Sequence, residues 1–173
     1  MPLVYVCPLS QIAATVSSAG ASHLISLIND GTLVVRPDSI PEANHLFLGI
    51  NDITEAQDGM VLPAVKHVRR LVDFAGSWDG KRPMVVHCFA GISRSTAAAF
   101  IALCVTRPER DESEIAGKLR RASPYATPNS RLVAIADEML QRNGRMVEAI
   151  AAIGRGEMAM EGVPFALAID ERA

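Results

Sequence analysis

The stretch from Pro83 to Val105 constrains the fold more than any other. Pro83-Met84-Val85-Val86-His87 has an apolar centre that predicts a strand buried on both faces. Cys88 to Arg94 predicts a loop, and Ser95 to Val105 an apolar helix stopped by Arg107-Pro108. A buried strand that passes through a short loop into a buried helix is half of a crossover connection, and parallel strands need such connections.

The remaining chain repeats the alternation. Leu3-Val4-Tyr5-Val6, His23 to Ile28 and His45 to Ile50 are short aliphatic or β-branched runs closed by Pro8, Asn29-Asp30-Gly31 and Asn51-Asp52, and read as strands. Between the first two, Ser10 precedes an amphipathic helix over Gln11 to Val16 that stops at Gly20. Asp58-Gly59 is expected to open a helix carrying Val61, Val65, Val68 and Val72, with Pro63 in its first turns. Asp111 with Glu114 predicts a capping box for a helix to about Arg121. Thr127-Pro128 predicts an N-cap and first-turn proline for Asn129 to Gln141. The expected architecture is α/β, a central, mostly parallel sheet with helices on both faces. The whole chain, 1–173, reads as one domain, with 142–173 as a C-terminal helical extension interrupted at Gly144, Gly154 and Gly156.

Charge narrows the partners. The net charge is −2 and the pI about 6.1, so no overall basic field draws in nucleic acid or an anionic membrane. The uncharged stretch Thr96 to Thr106 falls short of the roughly 20 residues that span a bilayer. Three cysteines in a chain long enough to build its own core, and no basic residue before the first apolar run, lead us to expect a reducing compartment, the cytoplasm.

An α/β sheet binds ligands beyond the carboxyl ends of its strands, where the loop from Cys88 lies. A loop wrapped between a strand end and a helix N-terminus turns successive N–H groups into one concavity, and the helix dipole favours an anion there. Phe89, Ala90, Gly91, Ile92 and Ser93 would supply that cradle, Gly91 adopting a conformation that a Cβ resists. Arg94 would fork two donors onto a phosphate or sulfate anion. The same positive elements stabilise a thiolate, so Cys88 is expected to be a nucleophile at neutral pH.

The run His87-Cys88-Phe89-Ala90-Gly91-Ile92-Ser93-Arg94-Ser95 resembles the phosphate loop of the cysteine-dependent protein tyrosine phosphatases, in particular their compact dual-specificity branch. The resemblance implies hydrolysis of phosphotyrosine, with phosphoserine and phosphothreonine as further substrates, through a phosphocysteine on Cys88 and with neither metal nor cofactor. It assigns Arg94 to the phosphoryl oxygens, Ser95 to release of the sulfur, and His87 to ordering the loop. Its general acid is an aspartate upstream. Asp52 follows a strand at the edge where Cys88 emerges and is preferred to Asp58, which an N-cap role already explains. No Trp-Pro pair precedes Asp52 and no tyrosine-bearing recognition loop is found, so strict phosphotyrosine selectivity is not implied. The loop interior carries no lysine, which speaks against a highly charged lipid headgroup. The partners implied are phosphorylated proteins or peptides.

Other readings compete. A catalytically silent module that binds phosphorylated partners would keep the cradle without the full Cys88, Arg94 and Ser95 set. A rhodanese-like sulfur transferase usually has a shorter cysteine ring. His87 with Cys88 offers too few ligands for zinc. Cys104 could form a disulfide with Cys88, although a core role is expected of it, and Cys7, His23, His45 and His67 carry no motif. Arg69-Arg70 and Arg120-Arg121 read as solvated helix faces.

Overall fold

The structure, a computed structural model, describes residues 3–168. Its strands are β1 (Leu3–Pro8), β2 (His23–Ile28), β3 (His45–Gly49), β4 (Met84–Cys88) and β5 (Phe165–Ala168). Its helices are α1 (Ile12–Ala19), α2 (Val65–Ser77), α3 (Arg94–Thr106), α4 (Glu112–Ala122), α5 (Ser130–Met139) and α6 (Arg145–Ile153). The sheet order is β3-β2-β4-β1-β5; the first four strands pair in parallel and β5 pairs antiparallel with β1. The expected α/β architecture is present. No helix among the described residues is long and apolar enough to cross a membrane.

β4 is buried at every position and lies between β2 and β1, which is why its sequence is continuously apolar up to His87. Alternation sorts the side chains of the central strands onto two faces. Val4, Val6, Ile25, Leu27 and Val86 join one core with residues of α2 to α6; Cys7, Leu24 and Val85 join a smaller one with Ile12 and Val16 of α1 and with Ile40. Helices cover both faces, unequally. α3 is buried from Arg94 through Cys104, so the strand–loop–helix unit sits at the centre of the molecule.

Several local expectations fail for identifiable reasons. The helix expected from Asp58-Gly59 begins only at Val65. Asn51 takes both backbone groups of Val61: its side-chain oxygen accepts the Val61 N–H at 2.8 Å and its own N–H donates to the Val61 carbonyl at 2.9 Å. That double tie keeps the chain extended, and Asp58-Gly59 forms a turn with Gly59 at φ +73° instead of a cap. The helix expected from Gln11 begins at Ile12, because Leu9–Gln11 form a 3-10 turn in which Ser10 bonds Glu161. Asp111 caps α4 by accepting from the N–H groups of Ser113 and Glu114, whereas the Glu114 carboxylate turns to Arg110. Asn129, not Thr127, caps α5; the Thr127 hydroxyl donates to the Tyr125 carbonyl and accepts from Gly156 N–H.

The tail departs furthest from expectation. Among the described residues of this tail, 142–168, only α6 is helical, and residues 154–164 run back past the Cys88 loop before β5 completes the sheet edge; residues 169–173 lie outside the described residues. Met146, Ala149 and Leu167 belong to the main core. Arg142 pairs with buried Glu112 at 2.9 Å and donates to the Cys104 carbonyl at 3.0 Å, joining α4 and α3. Arg120 is no solvated face residue: its guanidinium donates to the carbonyls of Ser123, Pro124, Ala126, Ile153 and Gly154, gathering the ends of α4 and α6.

Candidate active site

The loop after β4 is held from outside by its carbonyls. His87 Nδ1 lies 3.1 Å from the carbonyl oxygen of Cys88. The carbonyl of Phe89 accepts from Leu9 N–H at 3.1 Å, that of Ala90 from Gly162 N–H at 2.8 Å, that of Ile92 from Thr127 N–H at 3.0 Å, and that of Ser93 from Asn129 N–H at 3.2 Å. A trans peptide carries its C=O and N–H on opposite sides. Outward carbonyls therefore turn the N–H groups of Phe89, Ala90, Gly91, Ser93 and Arg94 toward the space the loop encloses, where the N-terminus of α3 also points. The result is an anion cradle.

Gly91 is at φ +70°, and a Cβ on it would lie 2.8 Å from the backbone of Cys7 and Pro8. Both the turn and the close packing of loop on β1 exclude a side chain. Cys88 is 2% exposed, with its Sγ 3.1 Å from the Ser95 hydroxyl oxygen. Arg94, 6% exposed, donates through Nη1 to the Asn29 side-chain oxygen and the Ile50 carbonyl, both at 2.8 Å. Its Nε is buried and has no protein partner. A buried guanidinium donor left free in this way is expensive unless an anion takes it.

Asp52 is brought to the loop. Its Oδ1 accepts from the Ser93 hydroxyl at 2.7 Å and from the Asn129 side-chain amide at 2.9 Å. Asp52, Phe89 and Arg94 line one cavity of about 300 Å³, closed on its apolar side by Ile28, Ile53 and Met60. Asp58 takes no part in that lining. His87 is fully buried, and burial pushes its pKa down to about 4, so the ring is neutral at physiological pH.

Sequence reasoning missed Asn29, Asn129 and Gly162 as contributors. Asn29 and Asn129 look like turn and cap residues, and only the position of Asn29 beyond the end of β2 hinted at more. Cys104 lies ten residues along α3 from Arg94, roughly 15 Å at the helical rise, too far to bridge to Cys88. Burial pushes its thiol up to about 12, and that of Cys7 up to about 11.

The protein-tyrosine phosphatase family model matches residues 53–127. No protein of curated description matches the chain by sequence. Among solved structures, DUSP15 is similar over 88% of this chain and 91% of its own, at 19% identity and a TM-score of 0.61. The human tyrosine phosphatase-like serine/threonine/tyrosine-interacting protein is similar over 81% and 92%, at 18% identity and a TM-score of 0.62. PTPMT1 in complex with PI(5)P is similar over 86% and 92%, at 17% identity and a TM-score of 0.59.

Proposed function

From a chain with the protein-tyrosine phosphatase pattern across residues 53–127 and the fold of the compact dual-specificity phosphatases, we propose a protein phosphatase that hydrolyses phosphotyrosine, with phosphoserine and phosphothreonine as further substrates, through a phosphocysteine on Cys88. The observation that carries the reading is the cradle itself: outward-bonded carbonyls, inward N–H groups and the unpartnered Arg94 Nε surround one buried thiol.

In the first step the Cys88 sulfur attacks phosphorus in line. The bond to the tyrosine oxygen breaks, and Asp52 gives that oxygen its proton. Both bonds to Asp52 fall on Oδ1, which leaves Oδ2 to carry the proton. The loop amides and Arg94 hold the three equatorial oxygens, where charge gathers in a loose transition state. In the second step Asp52 takes a proton from water, water attacks phosphorus, and the sulfur leaves as a thiolate. In this reading the Ser95 hydroxyl, 3.1 Å away, donates to it.

The apolar cavity wall suits an aromatic ring, and the absence of lysine from Phe89 to Ser93 disfavours a polyanionic headgroup. Free, buried cysteines fit a reducing compartment, the cytoplasm. The test is hydrolysis of an aryl phosphate, followed by a comparison of phosphotyrosine, phosphoserine and phosphothreonine peptides with a phosphoinositide. Cys88→Ser should abolish turnover and Arg94→Ala should reduce it roughly a thousandfold. Undiminished hydrolysis by either variant overturns the mechanism, and a preference for the phosphoinositide overturns the substrate class.

A further inference from the structure

Two polar groups behind the loop have no part in the chemistry above: Ser26 in β2 and His45 at the start of edge strand β3. They form a line with His87. Ser26 Oγ lies 2.6 Å from His87 Nε2, and His45 Nε2 lies 2.8 Å from Ser26 Oγ. Strand register builds the line: Ser26 pairs with His87, and His45 pairs with Leu24, two residues before Ser26, so all three side chains leave the same face of the sheet. Ser26 and His87 are fully buried, while His45 is half-buried.

With His87 neutral, the bonds take one direction. The Cys88 carbonyl only accepts, so His87 Nδ1 carries a proton. Burial opposes a second proton on the ring, as do His45 and Arg94 nearby, so Nε2 is an acceptor. Ser26 must then donate its one hydrogen to His87 and accept from His45 Nε2–H. His45 can supply that hydrogen whether neutral or charged; burial and the charge of Arg36 favour its neutral form. The chain of donors thus runs one way, from the sheet edge to the carbonyl of Cys88. Were His87 in the other tautomer, its Nδ1 lone pair would face the carbonyl oxygen and the peptide between Cys88 and Phe89 would lose this bond.

We infer that Ser26 and His45 are positioning residues: through this one-way hydrogen-bond chain they lock His87 in the tautomer that donates to the Cys88 carbonyl, and so aim the Phe89 N–H at the Cys88 sulfur. The kinetic consequence rests on the phosphatase reading, whereas the tautomer does not.

The first measurement is ¹⁵N NMR of the histidine rings in the unmodified protein. His87 should show a protonated Nδ1 and a bare Nε2 at pH 7, and the reverse pattern overturns the inference. The second is the pH profile of Cys88 alkylation by iodoacetamide. Ser26→Ala and His45→Ala should move its midpoint up by about half a pH unit, roughly a threefold loss of thiolate below the midpoint. His45→Gln, whose amide can donate to Ser26, should restore the profile. In a His87→Asn background, where the asparagine amide can donate to the carbonyl unaided, Ser26→Ala should add no shift. An unmoved profile in folded Ser26→Ala, or an equal shift in the His87→Asn background, refutes the chain. If Ser26→Ala does not fold, the His45→Ala and His45→Gln pair makes the same comparison at the half-buried end, and equal profiles for that pair refute it. A protein with the expected tautomer and no phosphatase activity would sink the functional reading and leave this one standing.

Discussion

Asp52 accepts both of its hydrogen bonds on Oδ1, and the proton transfer proposed for it uses the other oxygen. Asp52→Asn should lower kcat on phosphopeptides by about 10² to 10⁴, the usual range for losing a general acid, and lower it far less on an aryl phosphate whose leaving group needs no proton. Measuring kcat against leaving-group pKa separates the two, and equal losses on both substrates would remove Asp52 from the acid role. At this scale the sequence was informative because the chemistry is compact. The nucleophile, cradle and guanidinium proposed above fall within the nine consecutive positions His87 through Ser95, and a glycine at position 91 was expected there from the turn. The Nη1 anchors of Arg94, Asn29 and the Ile50 carbonyl, come from two other strand ends and have no local signature.

Helices α4 and α5 each begin where one side chain takes up free backbone N–H groups. Asn129 does this twice: its oxygen caps α5 by accepting from Arg131 and Leu132 N–H, both at 3.1 Å, while its amide nitrogen holds Asp52. Asn129→Ala should cost about 1 kcal/mol of stability, as loss of an N-cap does, and should also lower kcat on phosphopeptides. Asn129→Asp keeps the cap but sets a carboxylate against Asp52, so it should retain stability in a thermal melt and lose activity. Activity unchanged in both variants would break the link from α5 to the acid. The caps of α4 and the stop of α1 at Gly20 were legible because each is local; Asp111 is followed at once by the N–H groups it accepts from. The start of α2 was not, because a residue ten positions upstream, Asn51, ties Val61 into extended backbone.

On the scale of the whole molecule, burial of neutral histidine makes the fold sensitive to acid. His87 has a folded-state pKa of about 4 against about 6.5 when exposed. The unfolded chain therefore binds the proton more readily, and stability is lost as pH falls from 6.5 toward 4. Lowering the pH from 7 to 5 should cost about 2 kcal/mol from this group. His23, His45 and His67, all held below their usual range chiefly by burial, act in the same sense. Urea midpoints across that interval should fall, and His87→Asn should flatten the slope. An equal slope in the variant would place the acid sensitivity elsewhere.

The sequence by itself determined the alternation of strand and helix, the buried centre at β4 and α3, and the loop that joins them. Those features rest on hydrophobic period and on turn chemistry within a few residues, which a linear reading captures. Only the tertiary structure decided that the chain past Gly154 returns to brace the loop, with Gly162 bonding the Ala90 carbonyl and β5 closing the edge at β1. It alone aligned Ser26, His45 and His87, and brought Asn129 to Asp52. Such contacts join residues tens of positions apart. They follow from strand order and register, which the packing of the whole sheet sets and no short stretch of sequence specifies.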